Sequence, residues 1–77
     1  MKKQLNKEAA IDRVFRSYGE ERFGKKAMDR VTSEEVEDAR VFTCRVIHDL
    51  TRDFGKQKEG TVKDIFCDYV LAMYLTD

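Results

Sequence analysis

Val31-Thr32-Ser33-Glu34-Glu35-Val36 is the stretch that decides the fold of this chain. Thr32 stands where a helix N-cap belongs and Glu35 follows three residues later. Together they complete a capping box, in which each side chain satisfies the other's backbone N–H. Val31 before the cap and Val36 at the fourth helical position have the spacing of a hydrophobic staple. Glu34, Glu35, Glu37 and Asp38 crowd the first turns, where the helix dipole favours negative charge. Val36, Ala39, Thr43, Val46, Ile47, Leu50 and Phe54 then recur on one helical face. Gly55 supplies the stop. The pattern predicts a helix over 32–54, about 33 Å long at about 1.5 Å per residue.

Working outward, Ile11, Val14, Phe15 and Tyr18 fall at i, i+3, i+4 and i+7 and predict a helix over about 6–23. Leu5 and Ala9 lie off that stripe. Arg13, Arg16 and Glu20 fall on its far side and are expected to be wet. Gly24 is the expected stop, and 26–31 has room for one short helical turn. Downstream, the polar linker from Lys56 to Gly60 leads to Thr61, read as the cap of a last helix over 61–75 with Asp64 in the box position.

That last helix is apolar on most of its circumference. Val62, Ile65, Phe66, Tyr69 and Met73 form its main stripe, while Cys67, Leu71 and Tyr74 form a second one facing roughly the other way. A strand is the alternative for this aromatic, β-branched segment, but no other segment alternates with period two to pair with it. The second stripe is either clasped in a core between the other two helices or left to meet a partner.

The expected fold is therefore all-α: one small domain over 1–77, built as a three-helix bundle-like arrangement. Its expected core is Ile11, Val14, Phe15, Tyr18, Val36, Val46, Ile47, Leu50, Phe54, Ile65, Phe66, Tyr69 and Met73.

Composition narrows the function. Hydrophobic residues form 42% of the 77 and charged residues 39%, which is apolar enough for a core and too apolar for a disordered tail. No apolar run approaches the roughly 20 residues of a membrane span. No apolar stretch follows the N-terminal lysines, as a secretory signal would require. Two cysteines, Cys44 and Cys67, fall short of the framework a secreted domain of this size usually carries. The expectation is a cytoplasmic protein with reduced thiols.

The formal net charge is zero, which argues against non-specific coating of nucleic acid. Residues 1–30 nevertheless hold nine Lys/Arg against five acids, and 31–77 the reverse imbalance of six against ten.

Candidate chemistry is sparse. Gly55 to Thr61 resembles a phosphate loop only superficially: no lysine precedes the hydroxyl residue and no strand precedes the loop. Cys44 and His48 are helical neighbours, as a cysteine nucleophile and its base would be. No third orienting group or oxyanion pocket accompanies them. A single His and the lack of a paired-cysteine motif leave no metal site. The last helix offers only Lys63 beside Asp64 and Asp68, a poor reader of base edges. Nucleic acid, if bound, falls to the backbone-contacting set Arg13, Arg16, Arg22, Lys25, Lys26 and Arg30.

The leading expectation is a small non-enzymatic protein-interaction domain without cofactor or small-molecule substrate. It would be a regulator or inhibitor, of the size class that mobile genetic elements encode. It would dock through Cys67, Leu71, Tyr74 and Leu75, together with Val41 and Arg45, onto a larger protein or a second copy as a homodimer, with charged positions setting orientation. Tyr74 is the expected anchor, for its large contact area and hydrogen-bonding tip. A nucleic-acid-binding accessory protein is the alternative.

Overall fold

The computed structural model describes the backbone of residues 2–76 and the side chains of residues 9–76. The fold is all-α, with no strand among the described residues. Helix α1 spans Lys2–Phe23, α2 Lys25–Asp29, α3 Ser33–Phe54 and α4 Glu59–Val70, and a π-helical turn, Leu71–Leu75, continues α4. Helices α3 and α4 form an antiparallel hairpin, in which Asp38 near the start of α3 meets Tyr69 and Tyr74 at the far end. Helix α1 lies across both: Asp12 pairs with Arg40 of α3 at 2.6 Å, and Phe15 meets Phe66 of α4 with ring centroids 5.1 Å apart.

The punctuation read from the sequence is built as expected at α3. Thr32 N–H donates to Glu35 Oε1 at 2.9 Å, and Glu35 N–H donates back to Thr32 Oγ1 at 3.1 Å. Val31 and Val36, the staple pair, are both buried in one core cluster. Gly24 and Gly55 each end a helix at φ 93°, a backbone conformation that side-chain-bearing residues rarely adopt.

Three boundaries differ. Helix α1 starts near residue 2 rather than 6, because nothing in Lys2-Lys3-Gln4-Leu5 breaks a helix. The reading of Leu5 as off the stripe falls outside the described side chains. Thr61 is not the cap of α4. Lys58, with extended φ −78° and ψ 156°, occupies that position without a side-chain hydrogen bond, and its carbonyl accepts from Thr61 and Val62 N–H. Glu59 then falls in the first turn, where the dipole favours it, and Tyr18 donates its hydroxyl to it at 3.3 Å. Finally, the chain after Val70 widens into the π turn, so its side chains leave the 100° register of an α-helix.

The core is smaller and more central than the periodicity predicts. Phe15, Met28, Val31, Val36, Ala39, Phe66, Cys67 and Val70 are buried, with Thr43, whose hydroxyl donates to the Ala39 carbonyl at 2.7 Å. Phe15, Val36 and Phe66 are core residues as expected. Tyr18, Val46, Ile47, Leu50, Ile65 and Tyr69 are only half-buried. Ile11, Val14, Phe54 and Met73 are exposed, contrary to expectation. The shape is the physical reason. Cα extents of 35 × 34 × 18 Å leave the domain about two helices deep, so the ends of α1 and α3 project beyond the layer that covers their middles. Met73 is exposed because the π turn carries it off the buried line of Phe66 and Val70.

Helix α2 supplies what the long helices lack. It sets Met28 under α1, fully buried against Gly19, where a Cβ would lie 2.5 Å from Met28 Sδ. Arg16 clamps the same segment. Its guanidinium donates to the Met28 and Val31 carbonyls, each at 2.8 Å, so Arg16 is not the wet residue its wheel position suggests.

Candidate interaction surface

The apolar stripe of α3 is one line of side chains in two environments. Val36, Ala39 and Thr43 lie in the core, Val36 at 1% exposure. Val46, Ile47 and Leu50 are half-buried, and Phe54, at the end of the same line, is 78% exposed. A phenylalanine at the end of a core stripe is normally covered, because burying a large apolar side chain is worth about 1.5–3 kcal/mol. Val41, Phe42, Leu71 and Met73 are exposed as well. Phe42 is stacked on Tyr69 with centroids 4.4 Å apart, which accounts for its position.

The stripe read on the last helix divides. Cys67 is 1% exposed, and its thiol donates to the Tyr18 carbonyl at 3.6 Å. Burial pushes that thiol's pKa up. Cys67 is therefore a core residue and not a surface one, because α1 covers it. Leu71 is 46% exposed. Leu75 is half-buried and packs against the core. Tyr74 is engaged within the chain rather than free as an anchor. It and Tyr69 both donate their hydroxyls to Asp38 Oδ2, at 2.5 and 2.7 Å. Those hydrogen bonds hold the Asp38 carboxyl below its ordinary range and both phenols above theirs. The two rings meet edge to face. This triad fastens the π turn to α3.

Val41 and Arg45 are exposed on the outward face of α3. With Arg40, Cys44, His48 and Asp49 they line a shallow depression of about 460 Å³. Along the same face, Glu34, Glu37 and Asp38 occupy the first half, and Arg45, His48 and Arg52 the second; all six are exposed. His48 is 3.8 Å from Asp49 through Nδ1. No hydrogen bond joins Cys44 to His48 among the described residues, and the depression around them is shallow and open to solvent. Nor do three His, Cys, Asp or Glu side chains converge as a metal site among those residues.

The basic set is dispersed. Arg16 is spent on α2. Arg22 pairs with Asp64 at 2.5 Å. Arg13, Lys25, Lys26 and Arg30 are exposed. Sequence reasoning missed Arg16's role because its acceptors, the Met28 carbonyl in α2 and the Val31 carbonyl after it, carry no sequence signal. It misplaced Phe54 because periodicity reports a face and not where its cover ends.

These features define a small all-α domain with an incompletely covered apolar face, in which no described helix is long and apolar enough to cross a membrane. A scan against models of known families, a search of curated proteins and a search of solved structures each find no match to the chain.

Proposed function

We propose that this domain is a non-enzymatic protein-interaction module, acting as a regulator or inhibitor that docks an uncovered helix face onto another protein chain. The observation that carries the reading is the α3 stripe, which begins in the core at Val36 and runs out to an exposed Phe54. Exposed Leu71 and Met73 add apolar surface on the π turn, and Val41 on the outward face of α3 itself, and large exposed apolar patches mark interaction sites. Two free thiols, one buried and one exposed, suit a reducing, cytoplasmic setting.

Nucleic acid is the weaker partner class, since Arg16 and Arg22 are engaged inside the domain and the total charge is zero.

The test pairs the wild-type chain with a Phe54→Glu, Leu71→Glu variant as baits in extracts of the native host. Both positions are exposed, so the variant keeps its helix content. The reading expects a discrete partner retained by the wild type and lost by the variant. Identical retention by both baits would overturn it.

A further inference from the structure

The charges on the outward face of α3 are segregated along its length, and their order suggests what covers that face. Glu34 stands at one end and Arg52 at the other, about 27 Å apart along the axis. Glu37 and Asp38 lie on the acidic side of Val41, and Arg45 and His48 on the basic side. The helix dipole explains charges in the first and last turns only. It accounts for Glu34 and Arg52 but not for Arg45 or His48, which lie mid-helix. Among the described residues, neither Glu34 nor Arg45 has an ion-pair partner. Asp49 and Asp53 are the carboxylates of the basic half: Asp49 is met by its neighbours His48 and Arg52, each at 3.8 Å, and Asp53 by Arg52 at 3.2 Å, while in the acidic half Arg40 meets Glu37 at 3.8 Å.

A face that is acidic in one half and basic in the other is complementary to itself when turned end for end. We propose that the outward face of α3 pairs with the same face of a second copy, antiparallel about a two-fold axis near Val41 and Cys44. Glu34 of each copy then faces Arg52 of the other, and Glu37 faces His48, while Asp38 stays with Tyr69 and Tyr74 of its own chain. The exposed Val41 side chains meet near the axis, over the shallow depression lined by Cys44 and Arg45. Such an interface is isologous, each contact occurring twice. A face about 27 Å long and one helix wide covers less than the ~800 Å² per partner of a standard stable complex. The pair is therefore weak, and its exposed charges make it salt-sensitive. This inference rests on the reading of the domain as an interaction module and goes beyond it by naming the occupant of one face.

Sedimentation equilibrium from micromolar to millimolar chain, in low and high salt, is the test, with a short bis-maleimide as reporter of Cys44. Cys67 is buried and does not compete. The expected result is a monomer–dimer equilibrium that weakens with salt, with a Cys44–Cys44 link that Cys44→Ser abolishes. Arg52→Glu should weaken dimerisation about tenfold, and adding Glu34→Arg should restore it. A monomer under all conditions overturns the self-pairing and leaves the docking reading to the bait comparison. A dimer that ignores the charge reversals and gives no Cys44 link, yet is lost in Phe54→Glu, overturns this face while supporting the module.

Discussion

Replacing Arg16 with Met separates a structural arginine from a ligand-binding one. Methionine keeps much of the aliphatic stem and removes the guanidinium, which donates at 2.8 Å to both the Met28 and Val31 carbonyls. The Met28 carbonyl keeps a second donor, Val31 N–H at 3.0 Å, so the loss falls mainly on Val31 and on the anchoring of α2. Hydrogen bonds from a charged donor contribute about 1.5–3 kcal/mol each. Discounting the shared carbonyl, the expected cost is about 3 kcal/mol. A 77-residue domain holds about 4–11 kcal/mol in all. The melting temperature should therefore fall by roughly 12–24 °C, followed by helical circular dichroism. Arg13→Met, at an exposed position three residues earlier, should stay within about 0.5 kcal/mol of wild type. Equal stability of the two variants would refute the clamp and return Arg16 to the exposed basic set.

Other consequences are equally concrete. Gly19→Ala gains up to about 1 kcal/mol of helix propensity but drives a methyl into Met28, at an overpacking cost of about 1–3 kcal/mol. Urea titration should show net destabilisation, and Met28→Ala in the same chain should absorb part of it; simple additivity would contradict the contact.

The Asp38 triad predicts pH dependence at both extremes. Because the folded-state pKa of Asp38 lies below its ordinary 3.8, its contribution is complete above that pH and lost as the pH falls through the folded value. Because Tyr69 and Tyr74 lie above their ordinary 10.0, their contribution is complete below pH 10 and lost as the pH rises through the folded values. Asp38→Asn should flatten both limbs of a melting-temperature profile, and an unchanged profile would remove the triad from the account. In a maleimide pulse read by mass spectrometry, Cys44 should label promptly and Cys67 only as the chain opens; simultaneous labelling would contradict the burial of Cys67.

What the sequence made legible was punctuation and period. The Thr32–Glu35 box, the Val31–Val36 staple and the stops at Gly24 and Gly55 are local features, set by residues within five positions of one another, and each stands where it was expected. Coverage is not local. The periodicity that puts Phe54 and Val36 on one face says nothing of α1 and α4 covering only the first part of it. The same limit applies to Cys67. It falls on a second stripe by wheel position, yet it is buried because α1 passes over it and offers the Tyr18 carbonyl. Arg16 and Met28 were missed together: a short turn was expected at 26–31, but nothing local shows where it docks, and both residues take their roles from that docking. Thr61 shows the reverse error. A good cap residue was present, but Glu59 two residues earlier had the dipole and the Tyr18 hydroxyl to hold it. At the candidate surface, Val41 and Arg45 are exposed, Leu71 of the stripe left open between core and interface is exposed too, and Tyr74 is tied down by an acid that lies 36 positions away in the chain.

The most direct measurement places a photo-crosslinking amino acid at position 54 in the native host, with position 10 as an exposed control on α1. An interaction module whose stripe leaves the core at Phe54 should yield a discrete adduct from position 54, to another protein or to a second copy, and none from position 10. No adduct at position 54, or the same diffuse labelling from both positions, would contradict the account.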